Sequence, residues 1–123
     1  MNVLIAGAGG FIGGHFSKHF CSKKNVNLTC VDIKKKKHWY QKFSNSKNIV
    51  SDLSIYQNCI KALKKIDYVF NFACNMGGVT FIENNKAECM LSVLINTNLL
   101  KAAKELGIKK YFFFFIVLCL CCQ

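Results

Sequence analysis

Seven residues near the amino terminus, Gly7-Ala8-Gly9-Gly10-Phe11-Ile12-Gly13, have the types and spacing to hold a pyrophosphate. Glycine serves three separate purposes in such a turn. Gly7 can take the backbone angles of a tight exit from a strand. Gly10 leaves room for a phosphate to approach the backbone, and Gly13 lets a following helix lie close on that strand. The N–H groups that open the helix then face the phosphates with a partial positive charge. The spacing is G-x-x-G-x-x-G rather than G-x-G-x-x-G, and a glycine-rich turn can also be purely structural. Other residues therefore have to carry weight. Asp32 lies nineteen positions after Gly13, where a carboxylate can accept hydrogen bonds from ribose hydroxyls. It would repel a 2'-phosphate, which favours NAD over NADP. Lys34 to Lys37 follow at once and could attract such a phosphate, although the run reads first as a solvated loop.

The elements around these residues follow from the apolar pattern. Val3 to Ala6 form a short apolar run that enters the turn as strand one. Phe11, Ile12, Phe16 and Phe20 fall at helical spacing after it, with His15 and His19 beside them in positions of packing or solvation rather than metal ligation. Asn27 to Val31 form strand two, and Asn48 to Val50 form strand three. Asp52-Leu53 follows strand three, where Asp52 could meet an adenine amino group or simply favour the dipole of the next helix. Ser54 and Gln57 have capping-box spacing at the start of that helix, whose apolar side is Ile55, Cys59, Ala62, Leu63 and Ile66. Asp67 to Ala73 is a nearly continuous apolar run, as a parallel strand buried on both faces should be. It ends in Ala73-Cys74-Asn75-Met76-Gly77-Gly78, small residues that let a strand end approach a ligand. A long helix is expected from Asn84 or Asn85 to Glu105, with Met90, Leu91, Leu94, Ile95, Leu99 and Ala102 on its buried side and Gly107 as its stop. Strand five then runs from Tyr111 to Phe115.

This β-α-β-β-α-β-α-β order predicts an α/β, Rossmann-type parallel sheet with helices on both faces. Right-handed crossovers give the strand order 3-2-1-4-5. Gly7, Asp32, Asp52 and Ala73 then converge at the carboxyl ends of the strands. The expected organisation is one NAD-binding domain over residues 1–115, truncated after strand five, with an apolar cysteine-rich tail over residues 116–123 that reads like a shifted reading frame.

Composition narrows the classes. With 123 residues the chain suits one core, and 52% apolar content excludes a disordered chain. Formal net charge is +11, all 17 basic residues being Lys. The joint abundance of Lys, Asn, Phe and Ile suggests an AT-rich coding sequence, and nucleic-acid binding would want Arg with interleaved aromatics on one face; there is no Arg, so no nucleic-acid partner is expected. Eight cysteines lack disulfide-framework spacing, and no basic leader precedes strand one; reduced thiols in a cytoplasmic protein are expected. Cys119 and Cys122 have no second pair at zinc spacing, so no metal site is expected. The apolar stretch from Tyr111 to Cys122 is shorter than the roughly 20 residues of a membrane span. Its exposed edge leaves room for a homo-oligomer.

These residues resemble the NAD-dependent epimerase/dehydratase family, the extended short-chain dehydrogenases. The resemblance is carried by Gly7 to Gly13, Asp32, Asp52-Leu53, Asn71-Phe72-Ala73 and Asn98-Leu99-Leu100, over about residues 2 to 114. Val69 to Gly78 with Phe81-Ile82 is most similar to the GDP-mannose 3,5-epimerase branch. The resemblance implies NAD held by Gly7, Gly10, Phe11, Ile12, Gly13, Asp32, Asp52, Leu53, Ala73 and Cys74. It implies a nucleotide sugar, GDP-linked in that branch, lying against Met76, Gly77 and Gly78. It also implies transient oxidation of the sugar by NAD, with a tyrosine assisted by a lysine as acid and base. That pair is spaced Y-x-x-x-K, whereas Tyr40, Tyr56, Tyr68 and Tyr111 are followed at that distance by Ser44, Ile60, Phe72 and Phe115. The family's serine or threonine beyond strand five is replaced by Phe114 to Val117, and a helical Asn expected six residues before Asn98 is Ser92. No catalytic residue is therefore assigned, and the chain alone is expected to be inactive. A non-catalytic NAD-binding module and a non-functional gene fragment are the alternative readings.

Overall fold

A computed structural model describes residues 1–74, 80 and 84–114. Strands β1 (Asn2–Ala6), β2 (Asn27–Asp32), β3 (Lys47–Val50), β4 (Tyr68–Asn71) and β5 (Lys110–Phe113) form one sheet in the order β3-β2-β1-β4-β5. Every neighbouring pair is parallel, with Leu4 facing Thr29 on one side and Val69 on the other. Helix α1 (Phe11–Cys21) joins β1 to β2, α2 (Tyr56–Leu63) joins β3 to β4, and α3 (Lys86–Glu105) precedes β5. The expected tail, residues 116–123, lies outside the described residues.

The central strand shows why its sequence lacks polar alternation. Leu4 and Ala6 join Val31 and Val69 in a core covered by Cys59, Leu63, Leu99 and Ala102 of α2 and α3. Val3 and Ile5 face the opposite side with Leu28, Cys30 and Trp39. Both faces of β1 are dry, so alternation would have left polar groups buried without water. Against the second core, α1 presents Gly13, Gly14 and Ser17 as its buried residues. Its small side permits close approach to the sheet and turns Phe11 and His15 outward. Phe16 lies at the boundary, its ring centroid 4.6 Å from that of Phe72.

Four details depart from the sequence expectations. Helix α2 opens at Tyr56 with Ile55 as its cap and no side-chain cap hydrogen bond, so Ser54 and Gln57 make no capping box. The Asp52 carboxylate takes the Ser54 N–H at 2.8 Å, and the Asn58 amide donates to the Asp52 carbonyl at 2.9 Å. The segment is therefore closed by its own turn before the helix begins, and Ile55 is exposed. In α3, Met90, Leu91 and Leu94 are exposed by 59%, 44% and 45%, whereas Leu99 and Ala102 are fully buried. A 20-residue helix is about 30 Å long, and strands of four to six residues span about 13–20 Å. The amino-terminal half of α3 overhangs the sheet. Third, strand five begins one residue early and ends at Phe113. Finally, the Lys34–Lys47 stretch, which reads as a loop or a poor short helix, does hold a short 3-10 turn, Lys36–His38, but it delivers Trp39 into the core at 7% exposure rather than leaving it in a solvated loop.

The amino ends of the strands are tied by Asp67. Its carboxylate accepts the Asn2 N–H at 2.8 Å and pairs with the Lys109 ammonium at 2.8 Å, while its carbonyl accepts the Lys109 N–H at 3.0 Å. Gly107, at φ +67°, ends α3, and the Ile108 N–H returns to the Ala103 carbonyl at 2.9 Å.

Candidate cofactor site

The carboxyl ends of the strands are built differently. The chain leaves β1 at Gly7, whose φ is +76°. A Cβ there would lie 2.6 Å from the Phe72 carbonyl carbon, so both conformation and space demand glycine. The Gly7 and Ala8 N–H groups both donate to the Val31 carbonyl, at 2.8 and 3.2 Å, fastening the turn to β2. The Gly10 N–H closes the turn on the Gly7 carbonyl at 3.1 Å. A Cβ on Gly13 would stand 2.2 Å from that same carbonyl oxygen, so α1 rests directly on the turn. The first-turn N–H groups of a helix have no acceptor within it. Here neither a cap side chain nor a first-turn carboxylate supplies one. A Cβ at Gly10 would meet only the Gly7 carbonyl oxygen, at 3.3 Å. The turn thus leaves a cradle with the polarity of an anion site.

Asp32 closes the end of β2 at 7% exposure. Its two oxygens accept the Gly9 and Lys34 N–H groups, each at 2.9 Å. A carboxylate offers about four lone-pair positions, so two remain for a ligand. Sequence reasoning passed over Gly9 and Trp39. A Cβ on Gly9 would sit 2.8 Å from the indole and 3.0 Å from the Asp32 carboxyl carbon. The indole N–H donates to the Lys34 carbonyl at 2.8 Å, so Trp39 braces the loop that holds Asp32. The signal available in the sequence was one large apolar residue inside a lysine-rich run.

Gly7, Gly10, Asp32, Asp52, Leu53, Ala73 and Cys74 line one cleft of about 330 Å³, together with Lys34. That volume falls in the range of small-molecule sites, about 300–1,000 Å³. Gly13 lies beneath the turn, and the Phe11 ring points away from the cleft, 63% exposed. Ile12 lines a neighbouring cavity of about 120 Å³ with Asn71, Ala73, Cys74, Asn96 and Phe113. Phe11, Ile12 and Gly13 thus do not line the main cleft, although all three were expected at the cofactor. Met76, Gly77 and Gly78 lie outside the described residues.

A polar network lies beside the second cavity. The Asn71 amide donates to the Asn96 carbonyl and the Tyr111 hydroxyl, both at 3.2 Å, and the hydroxyl donates to Asn96 at 2.8 Å. The Asn71 side-chain amide oxygen accepts the Ala73 N–H at 3.0 Å, which fixes the bend after β4. Burial, foremost, holds the Tyr111 phenol far above its usual range. Burial also pushes the Cys59 thiol up to about 11 and raises Cys30. The Cys74 thiol is raised by desolvation against the cleft wall, opposed by the nearby Lys34 ammonium. Among the described residues no group of His, Cys, Asp and Glu could hold a metal ion, and all five described cysteines are free.

The model of the NAD dependent epimerase/dehydratase family matches residues 3–115. The chain belongs to this family. A GDP-mannose 3,5-epimerase 1 of Oryza sativa subsp. indica is 34% identical over 114 residues, covering 92% of this chain and 30% of the relative. The GDP-mannose 3,5-epimerase of Arabidopsis thaliana is 32% identical over the same length. The chain spans about 30% of the length of the curated relatives it matches. Among solved structures, Pen from Bacillus thuringiensis superposes with a TM-score of 0.81 at 28% identity, covering 91% of this chain and 36% of that one. MoeE5, solved with UDP-glucuronic acid and NAD, gives 0.78 at 27% identity over 92% of this chain and 36% of its own. The UDP-glucose 4-epimerase of Thermotoga maritima gives 0.78 at 19% identity over 92% of this chain and 37% of that one, which shows the shared fold. No described helix of this epimerase-family chain is long and apolar enough to cross a membrane.

Proposed function

We propose that this chain is the NAD-binding portion of a nucleotide-sugar epimerase, with a GDP-linked sugar as substrate. One observation carries the reading: Gly7, Gly10, Asp32, Asp52 and Ala73, far apart in sequence, line a single cleft at the carboxyl ends of the strands. The cradle at Gly10 and the first turn of α1 bind the pyrophosphate. Asp32, already fixed by Gly9 and Lys34, accepts hydrogen bonds from the adenosine ribose and disfavours a 2'-phosphate. Asp52 and Leu53 border the adenine end, where the Asp52 carboxylate can accept the amino group. Ala73 and Cys74 form the wall on the nicotinamide-ribose side. The chemistry supplied by bound NAD is reversible hydride exchange with a sugar carbon. The chain's own contribution is to bind and orient; its four tyrosines lack the Y-x-x-x-K partner, so no acid–base pair is assigned within it. The GDP preference rests on the similarity to the rice and Arabidopsis enzymes, and the sugar-facing role of Met76, Gly77 and Gly78 on the resemblance of that segment. A cytoplasmic location accords with the free thiols.

Calorimetric titration with NAD and NADP tests this reading. NAD is expected to bind more tightly than NADP. Asp32→Ala should weaken NAD by about 1–3 kcal/mol, the loss of a charge-assisted hydrogen bond. Unchanged affinity in a folded Asp32→Ala variant would remove Asp32 from the site, and absence of NAD binding by the native protein would remove the proposal.

A further inference from the structure

Residues 1–51 carry nine of the 17 lysines and a single carboxylate, Asp32. All nine lysines are exposed, while Asp32 is buried and takes two backbone N–H groups rather than an ammonium. At the start of α1 in this lysine-rich stretch stands a cluster of three exposed rings. The Phe11 and His15 ring centroids are 4.7 Å apart, Phe11 and Tyr40 5.0 Å, and His15 and Tyr40 5.5 Å. Phe11 is 63% exposed and Tyr40 55%.

The arrangement has a definite cause. Helix α1 gives Gly13, Gly14 and Ser17 to the sheet, so positions 11 and 15 must face outward. Tyr40 is brought beside them by its N–H, which donates to the Gly9 carbonyl at 3.0 Å, and by the burial of Trp39 one residue earlier. Lys18 and His19 lie one turn beyond His15 on the same side of α1. Lys36, Lys37 and His38 immediately precede the Trp39-Tyr40 step. None of the three rings lines the dinucleotide cleft. Exposed rings gathered in one contiguous patch, rather than scattered singly, mark a candidate interaction surface. The lysines next to these rings in the chain favour a polyanion, and exposed rings favour one that carries bases. Composition alone gave no reason for such a partner, because it does not reveal whether aromatic and basic residues share a face. The fold brings the three rings together, with Lys18 one turn along the same helix and Lys36-Lys37 just ahead of Tyr40 in the chain.

We propose that the Phe11–His15–Tyr40 face binds single-stranded nucleic acid. Bases stack on the rings, and the phosphate backbone runs along Lys18, Lys36 and Lys37. Stacking of this kind tolerates sequence because every base has a π-face, and the phosphate contacts make the affinity fall with salt.

Fluorescence anisotropy of a labelled 12-nucleotide oligouridine, titrated with the full chain at two salt concentrations, tests the proposal. The double variant His15→Ala/Tyr40→Ala should bind about fivefold or more weakly, while Tyr40→Phe, which keeps the ring, should bind like the native protein. Lys36→Gln/Lys37→Gln should weaken binding and flatten its salt dependence. Circular dichroism establishes that each variant is folded. Saturating NAD should leave oligouridine binding unchanged. The proposal is overturned if the folded double ring variant binds like the native protein, if heparin and a duplex of equal length bind as tightly as the single strand, or if NAD displaces the oligonucleotide.

Discussion

Gly13→Ala and Gly14→Ala form a matched pair that isolates one contact. Both positions lie in the first turns of α1, and in both alanine gains up to about 1 kcal/mol of helix propensity over glycine. They differ in what the new methyl group meets. At Gly14 the nearest atom is a Tyr40 ring carbon at 3.4 Å, an ordinary contact, so this variant should be neutral or slightly stabilised. At Gly13 the methyl carbon would lie 2.2 Å from the Gly7 carbonyl oxygen, more than about 1 Å inside contact distance. That carbonyl belongs to backbone held at Val31 by the Gly7 N–H and at Gly10 by the turn hydrogen bond. It can retreat only by opening one of them. Overpacking of this order costs about 1–3 kcal/mol. Since the propensity gain is common to the pair, the clash appears as the difference between them, with Gly13→Ala the less stable by that amount. Urea unfolding followed by circular dichroism reads the difference directly as a shift in midpoint. Gly13→Ala should also lose the rise in thermal midpoint that NAD confers, because the cradle moves with the turn. Equal midpoints for the two variants would refute the reasoning that α1 rests on the turn.

Two further outcomes follow from charge and access. The Lys109 ammonium and then the Asn2 N–H hold the Asp67 carboxyl below its usual value. A depressed folded-state value means stability that is present above the ordinary carboxylate range and lost as pH falls through the folded value. Acid titration of stability should therefore show a loss below about pH 4 that Asp67→Asn largely removes; identical titrations would contradict the assignment. Desolvation raises the thiols of Cys74, Cys30 and Cys59 alike, but Cys74 is exposed on the cleft whereas Cys30 and Cys59 are buried. Iodoacetamide labelling read by peptide mass spectrometry should modify Cys74 well before Cys30 and Cys59, and NAD should slow it; protection of Cys30 rather than Cys74 would place the ligand elsewhere.

What was legible in the sequence was whatever depended on neighbours along the chain. The apolar runs at Val3–Ala6 and Val69–Phe70 report strands buried on both faces, and the order of elements then dictates the order of strands. The same logic places Gly7, Asp32, Asp52 and Ala73 together at the carboxyl ends of the strands, where they line one cleft. Trp39 was not legible, because its burial depends on the absence of a side chain at Gly9, thirty residues away. The exposed face of Met90, Leu91 and Leu94 was not legible either. Periodicity shows that a helix has an apolar side, but only the lengths of helix and strand decide where the sheet stops covering it. The expected capping box failed for a local reason: Asp52 competes for the Ser54 N–H and turns the chain before the helix begins.

The Asp67 clamp gives the sheet a chemical polarity. At one end a single residue joins β1, β4 and β5 through its carboxylate and its carbonyl, and both are engaged within the fold. At the other end the glycine turn and Asp32 keep unused hydrogen-bonding capacity. Durability and recognition thus occupy opposite rims of the same five strands. Changes at the Asp67 rim can alter how long the fold survives without altering what it recognises. A lineage can accumulate them there as a reserve against the strain that new ligands impose on the other rim.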